Sequence, residues 1–544
     1  MARFGDPGLC AAGMPQRPAM SATQPERADG APAAASRYAR YALGVLVVVY
    51  VFNFLDRQIL SILAEHIRRD LGVNDAQLGF LYGTAFAVFY AVFGIPLGRL
   101  ADTWDRRKLI AIGLAAWSGM TALSGMARSF PELAAARIGV GIGEASAAPA
   151  AYSLLSDWFP AARRATALAI YSSGIYLGAG LGLGVGGVVV AGWDAAYADA
   201  AAPFALRGWQ VAFLVVGLPG LLLAAWVATL REPARGQSEG IVVPPHPHPF
   251  RACFEELIAV LPPLTLLGAA RAGTRALAAN LALAAAVALA AWAVIAVLGT
   301  PAQWIALGIG VYAAGSWLQS LARRDRPTFE LLTRSPALQL AAFGFALLAF
   351  VGYTVGFWLP PFFIRVHKLD PARAGVLLGI AAAAAGWFGT TIGGVWADRL
   401  RRTRAAGRLY VGVACGLLAP PIALAMLLTE HTNAALALSV PATAASSLWI
   451  GPGASTVQDL VPPRMRGTVS AAYLLVVTFI GLALGPYTVG RLSEATGDLR
   501  LALIVSLAAG LGGVVLLALA ARYVRAPRSP RSRSISATTA RAPS

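Results

Sequence analysis

Gly98-Arg99-Leu100-Ala101-Asp102 closes one apolar run, and Gly394-Val395-Trp396-Ala397-Asp398 closes another far downstream. A second set, Asp157, Pro160, Arg164 and Thr166, returns with the same spacing as Asp459, Pro462, Arg466 and Thr468. The offsets, 394 − 98 = 296 and 459 − 157 = 302, nearly agree. The chain therefore reads as two related halves, each built from apolar runs that end on charged loops.

The runs dominate the composition. Of 544 residues 57% are hydrophobic and 13% charged, with a mean hydropathy of +0.64. A soluble chain carries roughly a quarter of its residues charged. Half that share means that most of the outer surface faces lipid, and the 13 Trp, 15 Tyr and 57 Gly suit interfacial belts and close helix contacts. The net charge of +18 is spread over short loops and tails rather than one soluble domain. That pattern is topological and gives no reason to expect a nucleic-acid partner. Cys10, Cys253 and Cys415 are isolated, and His66, His246, His248, His367 and His431 lie outside the apolar cores. No metal site, cofactor or enzyme nucleophile is expected from them. Gly178, Gly180, Gly182, Gly184, Gly186 and Gly187 contain a GxGxxG spacing, but inside an apolar helix, where it signals close helix packing and not a dinucleotide. Residues 1–39 lack the apolar core of a signal peptide and read as a disordered leader, with Met14 and Met20 as later candidate starts.

A helix needs roughly 20 apolar residues to cross a bilayer. Runs of that kind lie near 41–63, 77–101, 109–127, 132–155, 165–192 and 209–230, then 276–298 and 303–322. Six more lie near 336–363, 374–397, 408–429, 434–458, 467–490 and 500–522. The expected fold is all-α and polytopic, with about 14 spans: a six-helix bundle over 40–232, a linker with two extra helices over 233–335, a second six-helix bundle over 336–523 and a basic tail over 524–544. The extra helices carry no ionisable residue in their cores and are expected to pack peripherally. Arg106, Arg107, Lys108, Arg163, Arg164, Arg399, Arg401 and Arg402 fall on one side, which puts both termini in the cytoplasm of a cell-membrane protein, the inner membrane if bacterial.

GRLADTWDRRK (98–108) resembles the loop signature of the major facilitator superfamily, and GGVWADRLRR (393–402) resembles its weaker second copy. The chain departs from that signature at Thr103, where a basic residue is common, and at Asp105, where Gly is common. NFLDRQIL (53–60), RIGVGIGEASAAPAAYSLLSDWFP (137–160) and GYTVGFWLPPFFIR (352–365) resemble the spinster-like group. The resemblance covers about 40 to 525 except the insert. It implies proton-driven movement of lysolipids, sphingoid phosphates or other amphiphiles.

Ionised side chains are costly in the bilayer core, so each one kept there is a functional candidate. The first half holds Asp56, Arg57, Arg137 and Glu144, whereas the second holds almost none away from its helix ends. Arg137 and Glu144 share a helix face roughly 10 Å apart, with Gly141 between them leaving room for a ligand or a neighbouring helix, while Asp56 and Arg57 point about 100° apart. Asp56 and Glu144 are the expected proton-coupling groups, and Arg57 and Arg137 the expected contacts of an anionic head. The other reading is a buried ion pair bracing two helices. Trp358, Trp387 and Trp449 make an aromatic second half that either binds substrate or faces lipid and core. Gly98, Asp102, Arg106, Asp398 and Arg402 suggest a latch across the loops, biased by helix dipoles. The leading expectation is a monomeric transporter of a small amphiphilic molecule, with protons and the lipid bilayer as its other partners. A facilitator or exporter of a small organic anion or drug is the alternative, and a scramblase or sensor a third.

Overall fold

The computed structural model describes residues 36–240 and 246–524, so the expected tails, 1–39 and 524–544, fall almost wholly outside the described residues. The first half comprises α1 (Arg37–Leu71), α2 (Asp75–Thr103), α3 (Arg106–Ser124), α4 (Phe130–Glu144), α5 (Ala147–Trp158), α6 (Ala161–Ala196) and α7 (Gly208–Ala228). After it come α8 (Pro249–Val260) and α9 (Leu264–Arg271), meeting at a 96° bend, then α10 (Thr274–Leu298), α11 (Pro301–Arg324) and α12 (Arg326–Arg334). The second half comprises α13 (Pro336–Arg365), α14 (Pro371–Thr403), α15 (Gly407–Leu428), α16 (Thr432–Asp459), α17 (Arg466–Thr496) and α18 (Leu499–Tyr523). No strand occurs among the described residues.

Local chemistry sets the boundaries. Asn74 and Gln77 form a reciprocal capping box at the start of α2, with bonds of 2.9 and 2.8 Å. Asp105 caps α3 by accepting from the Lys108 amide at 3.0 Å, which explains an acid where the family signature has Gly. Asp370 caps α14 ahead of Pro371.

Among the described residues twelve helices are long and apolar enough to cross a membrane: α1, α2, α6, α7, α10, α11 and α13 to α18. Fourteen were expected, and the difference lies at 109–127 and 132–155. There α3 opens on Arg106, Arg107 and Lys108, and α4 stops at Glu144 before α5 begins at Ala147.

Helix pairing repeats between the halves. In the first, α1 lies along α6 and α3 along α7; in the second, α13 lies along α17 and α15 along α18. The halves meet along α6 with α14 and α2 with α17. The glycine stripe of α6 serves two partners at once. Gly178, Gly182 and Gly186 face Val51, Leu55 and Ile62 of α1, while Gly180 and Gly187 face Gly379 and Pro371 of α14. A Cβ on Gly180 would lie 2.5 Å from the Gly379 carbonyl oxygen, so only glycine permits this approach.

Between the halves, α10 is peripheral, with Ala276 and Asn280 its buried residues. In contrast, α11 sits against the seam, where Gly310 faces both Val88 of α2 and Phe479 of α17. Tyr312 donates to Asn280 Oδ1 at 2.6 Å and Asn280 donates to Ser316 at 3.0 Å, tying α10 to α11.

Candidate functional site

The four intramembrane charges converge. Arg57 from α1 donates to Glu144 from α4 at 2.7 Å. Arg137 donates to the backbone oxygen of Asp56 at 3.4 Å, and Thr121 of α3 donates to Asp56 Oδ2 at 3.2 Å. All four charged residues are buried. The Arg57 guanidinium lies 4.3 Å from the Phe86 ring centre and 4.7 Å from that of Phe54, so aromatic faces replace part of its hydration. Gly141 gives up its room to the Phe86 backbone of α2, a helix contact rather than a ligand space.

The pairing within the cluster is uneven. Arg57 and Glu144 form an ion pair, whereas the Asp56 carboxylate meets only a neutral hydroxyl and Arg137 only a backbone carbonyl. Asp56 Oδ1, Glu144 Oε1 and Arg137 Nε and Nη2 have no protein hydrogen-bond partner. Buried polar atoms are normally satisfied, and an exception needs a reason. These atoms are the cluster's unused acceptor and donor capacity.

The three tryptophans do not join it. Trp358 is fully buried and donates to the Pro486 carbonyl at 2.9 Å, joining α13 to α17. Trp449 is buried in a separate core of the second half, within 4 Å of a Cβ built on Gly352. Trp387 is 46% exposed beside Phe388. The expected aromatic wall is thus divided among two cores and a surface.

The loop residues pair differently from expectation. Arg106 is fully buried and donates to Glu232 at 2.7 Å, to Ser153 at 2.8 Å, to Pro233 O at 3.0 Å and to Asp157. Its partner is not Asp102, which is exposed. In the second half Asp398 accepts from Arg408 at 3.0 Å, and Arg408 also donates to Asp459 at 2.6 Å. Arg402 is exposed and pairs with no carboxylate among the described residues, and a Cβ on Gly98 would meet nothing within 4 Å. Burial would raise the Asp105 carboxyl, but the Lys108 amide and the Arg107 guanidinium outweigh it and hold it below the usual carboxylate range. Among the described residues no ion pair joins the two halves at this end.

At the opposite end one does. Arg365 donates to Glu65 at 3.0 Å and to Asp75 at 2.7 Å, and Ser493 donates to Asp75 at 2.7 Å. Gln58 donates to Gly356 O at 3.0 Å, Thr84 donates to Ala483 O at 2.8 Å, and Tyr82 stacks on Phe357 at 4.4 Å. Glu65 and Asp75 stand 300 and 290 residues from Arg365 in sequence, and no motif links them.

Residues 46–486 match the Major Facilitator Superfamily. An MFS-type efflux pump of Mycolicibacterium smegmatis is 28% identical over 89% of this chain and 90% of its own length. Protein spinster of Drosophila melanogaster is 23% identical over 84% of this chain and 62% of its own length. A solved bacterial homologue of the human lysosomal transporter Spinster, inward-facing and unoccupied, is 25% identical, with a TM-score of 0.68 over 91% of this chain and all of that one. Fold, pairing pattern and motifs agree: the chain belongs to the Major Facilitator Superfamily and is a spinster-like membrane transporter, not an enzyme.

Proposed function

We propose that the protein is a proton-coupled secondary transporter that moves an amphiphilic organic molecule by alternating access, acting as a monomer in the cell membrane with both termini in the cytoplasm. The observation that carries this reading is the buried cluster of Asp56, Arg57, Arg137 and Glu144, confined to one half and keeping unpartnered polar atoms. Charges at that depth are costly, so their retention points to transport or to a structural pair, and only Arg57 and Glu144 pair. Asp56 is the first proton acceptor, because its carboxylate has no competing guanidinium bond. Glu144 is second, and Arg137 draws the anionic head.

In this reading α3 and the α4–α5 pair complete fourteen spans, and α10 and α11 are the two additional ones. In the same reading the end held by Arg365 faces outside and the Arg106 and Arg408 end faces the cytoplasm, an arrangement supported by ion pairs between the halves at the outer end and by the inward-facing state of the solved relative. The remaining loop residues, Gly98, Asp102 and Arg402, act on that cytoplasmic rim. Engineered cysteines in 231–255 should label only in permeabilised cells, and labelling of intact cells would reverse the orientation.

Asp56→Asn keeps shape and removes titration. In proteoliposomes it should lose accumulation driven by a pH gradient while still binding substrate, whereas Arg137→Ala should lose binding itself. Full pH-driven flux in both Asp56→Asn and Glu144→Gln would return the cluster to a structural brace. A second reading, export of a drug or small organic anion, is favoured by the efflux pump that aligns over 89% of the chain. Thermal-shift screening with lysolipids, fatty acids and small acids separates the two.

A further inference from the structure

We infer that the corner where α12 turns into α13 holds a two-chain phospholipid of the surrounding bilayer, at a site separate from the charged cluster. Two apolar crevices meet there. One, of about 390 Å³, lies between α11, α12, α13 and α17, with Trp317, Leu332, Ala342, Ala472 and Val476 among its walls. The other, of about 420 Å³, runs along α13 past Pro336, Leu340 and Leu347 to Ile480 of α17 and Leu516 of α18. They share Gln339 and Phe343, so the half-exposed Phe343 ring stands between them.

Neither crevice suits water, which needs two to four polar partners. The first offers Thr333, Gln339 and Tyr473, but the Gln339 amide already donates to Leu332 O at 3.0 Å and the Thr333 hydroxyl to Phe329 O at 2.8 Å, which leaves the Tyr473 hydroxyl as the one unengaged group among them. Left empty, walls of this kind lose their dispersion partners. In hydrocarbon the apolar filler at hand is an acyl chain, and two crevices spreading from one corner match two chains on one glycerol.

The corner also supplies the head site. The short helix α12 is amphipathic: Leu331 and Leu332 pack on the core, while Arg326 and Arg334 are exposed. Arg326 is engaged by Glu330 at 3.0 Å, whereas Arg334 pairs with no carboxylate among the described residues. The apolar run of α13 begins two residues later, at Pro336. Arg334 therefore stands at the boundary of the hydrocarbon layer, where basic side chains meet phosphate groups.

The test uses the full chain in nanodiscs containing phosphatidylglycerol with a diazirine in one acyl chain. After illumination, labelled peptides are mapped by mass spectrometry. Label should concentrate in 338–347 and 469–480 relative to Leu289 and Trp292 of α10, a face exposed to any lipid. Ala342→Trp should empty the first crevice of label and leave the second. Arg334→Glu, an exposed change that leaves the packing intact, should lower label in both segments at least fivefold, since it removes one basic side chain worth about 1 kcal/mol near an anionic surface and adds a repelling charge. Its α10 label should not change. Crevice label no higher than that on α10, or crevice label indifferent to Arg334→Glu in a protein with unchanged thermal stability, would overturn the site.

Discussion

Arg106 and Arg408 occupy the same corner of their respective halves. The offset 408 − 106 = 302 equals the 459 − 157 offset of their aspartate partners, Asp157 and Asp459. The twin of Arg106 is therefore Arg408, not Arg402, and the aspartate offset already carried that signal. Breaking a buried pair by removing one partner costs about 3–5 kcal/mol, because the remaining charge is left without compensation. Arg106→Ala should therefore cause a large loss of thermal stability in detergent. Arg408→Ala should cost less, since Asp459 is one-third exposed and retains Arg401 at 3.1 Å. Arg402→Ala should leave the melting temperature within error, and a loss equal to that of Arg408→Ala would mean the repeat has been matched wrongly. The intramembrane charges were legible because Asp56, Arg57, Arg137 and Glu144 stand out in apolar runs. Which acid meets which base was not, because adjacent residues on a helix point about 100° apart and the partner helix decides.

At the level of single helices, α6 is held by two neighbours through glycines of opposite faces, so its positions are unequal. A Cβ on Gly180 would press on the Gly379 backbone of α14, whereas one on Gly184 would meet nothing within 4 Å. Gly180→Ala should separate α6 from α14 at a cost of about 1–3 kcal/mol, the usual range for overpacking, and reduce transport. Gly184→Ala should be silent, and equal transport and stability in the two variants would show that the α6–α14 contact is not constraining. Hydropathy located the helices well, since a span needs only length and apolar content. It could not assign faces: a helix that is apolar all round carries no periodic signal. For that reason Trp358, Trp387 and Trp449 looked alike in sequence yet fall in one core, on a surface and in another core.

Across the whole molecule, the two halves touch unequally at their two ends. Arg365 reaches Glu65 and Asp75 across separations of 300 and 290 residues, a distance at which one sequence offers no pairing signal. Arg365→Ala should loosen that end. Spin labels at Arg69→Cys and Arg373→Cys, in a background lacking Cys10, Cys253 and Cys415, should then report a longer and broader distance distribution by pulsed electron resonance. An unchanged distribution would show that packing of Tyr82 on Phe357 and of α2 on α17 closes this end unaided. The confinement of Asp56, Arg57, Arg137 and Glu144 to one half also has an electrical consequence. With all four ionised, two negative and two positive charges sum to zero, so the membrane voltage finds little to pull on as the empty carrier turns over. One proton and one singly charged anion taken up together leave that sum at zero, and a cycle of that stoichiometry would run at the same rate in polarised and depolarised vesicles.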